Sequence, residues 1–305
     1  MNEGIELTAM LAGILVGTVT RGVMLRSDYR IYPSYPHGAI THLSLGLVAS
    51  FLGGVAVPAL VSQEYTAATF LALAAQQFRE IRDMERRTLT EIEASEMVPR
   101  GPEYIEAIAR IFEARNYLAI LVALFSSGVV YFTENVFLGA LGFFFIVPAS
   151  KIFMKGRKIK DIATVKSAQI NFRASDLYVD NIFLMNIGHP EHRKIIRNKG
   201  LGAIIKPKNE NASATLTNQG QRLAISHDCA SMLGIYKDVD TPQFTPLIRR
   251  DLKSGDLGMV IVPIAKDKES LLEAILYVPV LESSIKKPLS SRAGRKAAKK
   301  SSNMK

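Results

Sequence analysis

Two apolar runs separated by three residues constrain this chain more than any other feature. Asn116–Phe132 (NYLAILVALFSSGVVYF) and Val136–Ser150 (VFLGALGFFFIVPAS) flank Thr133, Glu134 and Asn135. At a rise of about 1.5 Å per residue, each run nearly crosses a hydrocarbon core of about 30 Å. A turn that short forces a membrane hairpin, so the chain leaves on the side from which it entered. Arg110 and Arg115 precede the pair, and Lys151, Lys155, Arg157, Lys158 and Lys160 follow it. Basic residues mark the cytoplasmic side.

The rest of the chain fits that frame. Its 305 residues suffice for two domains. A mean hydropathy of +0.13 averages an apolar first half and a polar second half. The single cysteine, Cys229, excludes an internal disulfide and suits a reducing compartment. The formal net charge is +10, but residues 286–305 carry eight Lys and Arg with no acid. The basicity therefore belongs to the tail, whose natural partner is anionic lipid. Nucleic acid is not expected, because no aromatics interleave those charges.

Gly4–Thr20 predicts a retained first helix, with no basic stretch before it and no cleavage site after it. Its face Ala9, Gly13, Gly17 permits close helix approach, and Gly46, Ser50 and Gly54 repeat that spacing in the second span, Ala39–Val61. The two helices are expected to pack together, and such faces also allow a homo-oligomer. Arg21–Gly38 reads as the loop between them, with Tyr32, Pro33, Tyr35 and Pro36 at the interface. Gly53-Gly54 and Pro58 offer a break of the kind transporters use. Tyr65–Phe78 is short for a third crossing and suits an interfacial or re-entrant segment as well. If it crosses, the loops 21–38, 78–115 and 151–160 share the cytoplasmic side with three, seven and five basic residues. The expected layout is five spans in the cytoplasmic membrane, N-terminus outside and C-terminus inside.

Between spans, Arg79–Glu96 predicts a helix continuing from the Tyr65–Phe78 stretch into the cytoplasm, laced by four-residue charge pairs. Pro99, Gly101 and Pro102 end it, and a second amphipathic helix starts near Pro102. Beyond residue 160, Ala168–Phe172, Ile182–Ile187, Ala203–Lys206, Gly258–Ile264 and Val278–Leu281 read as strands. Pro190–Asn198, a helix capped by Thr217 and stopped by Gly234, and Lys268–Tyr277 capped by Asp267 read as helices. The expected fold is an α-helical multispan membrane domain of about five spans followed by a small soluble α/β or α+β domain. Its parts are 1–160 with the helical hairpin 79–113, then 161–285, then a disordered basic tail 286–305.

Tyr104-Ile105-Glu106-Ala107-Ile108-Ala109 spells YIEAIA. It resembles the signature of the YIEGIA family, membrane proteins of endospore-forming Firmicutes named for that hexapeptide; Ala107 stands where the family name has glycine. The length, multispan first half and soluble second half fit over most of the chain. The resemblance implies a cytoplasmic-membrane protein linked to sporulation or its regulation.

Candidate sites are sparse. Tyr104, Glu106 and Arg110 on the YIEAIA helix suit docking to a protein partner or to the C-terminal domain; an amphipathic helix lying on the spans explains them equally. His189, His192, His227 and Cys229 have the ligand types zinc prefers, but not the HExxH spacing. Ser226-His227-Asp228 contains the triad chemistries. As adjacent helical residues they point apart, so any one of them would need partners elsewhere, such as Ser175 or Asp176. Thr217, Asn218 and Arg222 begin a helix whose amides suit an anion or ordinary capping. No nucleotide motif is present, and nothing calls for a cofactor. Two functions remain open: a non-enzymatic regulatory or assembly factor acting through its cytoplasmic domain, and a membrane-anchored regulatory protease acting on a cytosolic protein.

Overall fold

A computed structural model describes residues 3–28, 36–141, 144, 148, 156–237 and 244–302. The chain divides into two compact units, Met1–Thr88 with Ile108–Lys155, and Leu89–Ala107 with Gly156–Lys305.

The first unit is helical. Its helices are α1 (Glu3–Asp28), α2 (Pro36–Val61), α3 (Tyr65–Glu93) and α4 (Pro102–Thr133). Among the described residues, three stretches are long and apolar enough to cross a membrane: Gly4–Leu25, Ala39–Val61 and Pro102–Thr133. The Tyr65–Phe78 stretch continues into the charged helix after it, as expected. No glycine or proline interrupts 65–93. Likewise the amphipathic helix at Pro102 and the span Asn116–Phe132 form one helix of 32 residues. The second hairpin arm is helical at 136–141, 144 and 148. The remainder of Val136–Ser150, with Lys151 and Lys155, lies outside the described residues, as do Arg30, Tyr32, Pro33 and Tyr35.

The small-residue faces hold this unit together. A Cβ on Gly54 would lie 3.0 Å from the Ile14 nitrogen, and one on Gly13 would lie 2.7 Å from the Ala123 carbonyl oxygen. Thus α1 and α2 pack as their spacing predicts, and α4 uses the same faces. Those faces are filled by contacts within the chain. Helix α2 continues through Pro58, so the expected break is absent.

The second unit is α+β with antiparallel sheets throughout the described residues. After the single turn α5 (Ile159–Ile162) come β1 (Ala163–Ala168), β2 (Ile170–Arg173), β3 (Asp176–Val179), β4 (Ile182–Asn186), α6 (Pro190–Lys199), β5 (Leu201–Pro207), α7 (Glu210–Leu216), α8 (Gln219–Leu233), β6 (Leu247–Arg250), β7 (Leu257–Ile261), α9 (Lys268–Tyr277) and α10 (Arg292–Ser302). One sheet has the order β1-β5-β7-β6 and the other β2-β3-β4, with every pairing antiparallel.

Strand β7 explains the layering. All five of its residues are buried, because both faces of the larger sheet are covered. Leu257, Met259 and Ile261 join a core with α8 and α9, while Val260 meets Leu177, Val179, Leu184 and Ile196 on the other face. The expected edge strand Val278–Leu281 is instead a single bridge, with Pro279 opposite Lys158. Proline removes the donor a longer ladder needs. The tail, expected to be disordered from 286 onward, forms the helix α10, pinned by Arg295 Nη1 donating to the carbonyls of Leu289 (3.1 Å) and Ser290 (3.0 Å).

Candidate functional site

The chemistry of the second unit concentrates where the segment Leu89–Ala107 meets α8. This segment connects α3 to α4, yet it folds as part of the C-terminal domain. Its turn depends on Gly101, whose φ of +84° favours glycine and whose N–H donates to Glu93 Oε1 at 2.7 Å. Pro102 then begins α4, which presents Glu103 and Tyr104 in its first turn.

Each of these two side chains meets α8. Glu103 accepts from Asn218 Nδ2 at 3.2 Å and from the Ser283 hydroxyl at 2.8 Å. It lies so close to Gly220 that an added Cβ there would be 2.6 Å from its carboxyl carbon. The start of α8, where Thr217, Asn218 and Arg222 suit an anion or ordinary capping, holds the Glu103 carboxylate. A negative group there also suits the positive end of the helix dipole. Asn218 is the true N-cap, its side chain accepting from the Gln221 N–H at 2.8 Å. Thr217 instead ends α7, its hydroxyl donating to the Ser213 carbonyl at 2.8 Å. Two capping residue types stand side by side, and the side-chain acceptor at 218 decides which begins α8.

The Tyr104 hydroxyl donates to the Asp228 carboxylate, 3.0 Å from Oδ1 and 3.2 Å from Oδ2. Burial pushes the Asp228 carboxyl up to about 6, against the opposing pulls of the Tyr104 hydroxyl and the Arg100 guanidinium. Arg100 is itself buried and pairs with Glu96 at 3.0 Å. His227 Nδ1 lies 2.6 Å from the Val98 carbonyl, and Nε2 lies 3.3 Å from the Ser231 hydroxyl. The carbonyl requires Nδ1 to carry the proton, which leaves Nε2 to accept from Ser231. Burial lowers the His227 pKa despite the Val98 bond.

The three side chains diverge, as adjacent positions on a helix require. His227 faces Val98 and Ser231, Asp228 faces Tyr104, and Ser226 is buried in the domain. Ser175 and Asp176 both accept from Asn186 Nδ2, at 2.8 and 2.9 Å. The metal set is separated as well. His189 and His192 stack at 4.5 Å beside Phe244, whereas Cys229 is fully buried in the α8 core, where burial raises its thiol pKa. Among the described residues no three His, Cys, Asp or Glu are placed to hold a metal.

Of the YIEAIA residues, Tyr104 docks on α8, Ala107 packs on the same core, Glu106 is half-buried, and Arg110 is exposed. The anchors sequence patterning misses are Glu103 and Asp228 as partners of the opposite element. Their spacing along the chain gives no sign that they meet.

A second polar cluster sits in the helical unit. Arg21 is fully buried and its Nε donates to Asn116 Oδ1 at 3.1 Å. His42 stacks on Phe112 at 4.5 Å and approaches Glu85 at 3.8 Å. Arg21 and Arg115 were expected as flanking charges at the cytoplasmic surface; both are buried among helices.

The fold and site thus define a membrane-associated helical protein with an antiparallel α+β domain into which an interhelical connection is built. The chain belongs to the YIEGIA family, whose model, described as YIEGIA protein, matches residues 9–291. It is also 42% identical over 279 residues to a Bacillus subtilis (strain 168) protein described as "Uncharacterized protein YphB", covering 92% of this chain and 94% of that one. No solved structure matches.

Proposed function

We propose that this protein is a multi-pass component of a spore-former's cytoplasmic membrane, with five spans, N-terminus outside and C-terminal domain in the cytoplasm. It acts without catalysis, as a regulatory or assembly factor linked to sporulation, its domain binding a cytosolic protein. The observation that carries this reading is the docking of Glu103 and Tyr104 on α8. A partner bound to the domain would act on a segment covalently continuous with two long helices. The kinship with a Bacillus subtilis protein supports the cellular setting. The protease reading has no comparable support, since His227 gives both ring nitrogens to structural bonds.

Comparative proteomics of cells with and without the protein, joined to co-purification from membranes, tests this reading. A cytosolic protein that co-purifies intact is the expected result. A cytosolic protein that accumulates whole, with loss of its fragment, in cells lacking this chain would overturn it in favour of proteolysis.

A further inference from the structure

We infer that a cleft beside α5 and α7 holds the phosphate of an anionic lipid headgroup. This rests on the reading that the C-terminal domain is cytoplasmic and tethered to the membrane. The cleft measures about 280 Å³ and is lined by Arg157, Asp161, Asn209, Asn211, Lys286 and Lys287, with apolar walls. That is just below the usual small-molecule range of about 300–1,000 Å³, a size for a headgroup rather than a whole lipid.

The lining chemistry selects an anion. Three cations face one acid, and Asp161 is engaged in accepting the Lys158 N–H at 2.8 Å. Asn209 Oδ1 accepts from Ala212 N at 2.9 Å, and Asn211 Oδ1 accepts from Leu289 N at 2.9 Å. With their oxygens occupied, these side chains offer a ligand their amide N–H donors. Phosphate oxygens accept from such groups and from guanidinium. Chain length limits how far Arg157 can stand from lipid. Arg157 follows the apolar run ending at Ser150 by seven residues, at most about 25 Å of extended chain. A headgroup and free phosphate share this chemistry, and leaflet proximity favours the headgroup.

The test uses the full chain in a neutral detergent, with thermal unfolding followed against dioctanoyl phosphatidylglycerol, dioctanoyl phosphatidylcholine and inorganic phosphate. Phosphatidylglycerol is expected to raise the midpoint at concentrations where the other two do not. Replacing the exposed cleft cations (Arg157→Gln, Lys286→Gln, Lys287→Gln) should weaken that response by about tenfold or more. Neutralising α10 (Lys296→Gln, Lys299→Gln, Lys300→Gln) should weaken it far less. A cleft variant that responds like the unaltered protein overturns the site. If the α10 variant alone loses the response, the cleft fails while lipid attraction by the tail stands; if neither loses it, both fail. An equal response to inorganic phosphate overturns the lipid assignment.

Discussion

His227 shows how one residue reads differently in sequence and in space. Beside Ser226 and Asp228 it suggests catalysis; in the fold its ring ties α8 to Val98 of the docked segment. Asp228 and His227 also titrate with opposite consequences. Burial raises the Asp228 pKa, so its contribution to stability is full below its unfolded value and fades as pH climbs through about 6. Burial lowers the His227 pKa, so its contribution is present above the unfolded value and fades on acidification. The two slopes offset one another. Asp228→Asn keeps an acceptor for Tyr104 and removes one of them. Unfolding midpoints of that variant should fall as pH drops from 7 to 5, and at pH 7 it should be at least as stable as the unaltered protein. Tyr104→Phe leaves the buried carboxylate without its donor and should cost about 1–3 kcal/mol in denaturant unfolding. An unchanged midpoint would remove Tyr104 from the docking contact.

At the scale of elements, capping and close approach decide the structure. Asp267 was legible as a cap because a short acceptor precedes a charged and then apolar helical run, and it accepts from the N–H groups of Glu269 and Ser270. The buried strand at Leu257–Ile261 was legible as an unbroken apolar run. Strands β3 and β6 were not, being four residues each with one charged end. The contact of Glu103 with the start of α8 makes two forecasts. Glu103→Ala removes an acceptor of two hydrogen bonds and should cost about 1–2 kcal/mol by denaturant unfolding. Gly220→Ala drives a methyl into the Glu103 side chain and should release the segment, measured as faster hydrogen exchange over 89–107. In the helical unit, Gly46 matters for a reason its small-residue spacing did not reveal. A Cβ there would collide with the Arg21 stem, so Gly46→Ala should lower the melting temperature in detergent, whereas Gly4→Ala, which meets nothing within 4 Å, should leave it unchanged.

For the whole molecule, the decisive measurement is topology. Reporter fusions after Gly156 and after Ser302 should both be active only in the cytoplasm, and insertions near Gln63 and Glu134 only outside. A periplasmic-type signal after Gly156 would invert the layout and remove the proposed cytosolic partner. What the chain alone determined was the location of apolar length: runs that cannot dissolve in water, basic flanks, and a change to alternating polarity near residue 160. These are properties of neighbouring residues and survive without a fold. What tertiary structure alone decided was the fate of the polar groups. Glu103 and Asn218 stand 115 residues apart, as Tyr104 and Asp228 stand 124 apart, and a hydrogen bond depends on distance in space. Periodicity records which face of a helix is buried; it carries no record of what that face is buried against.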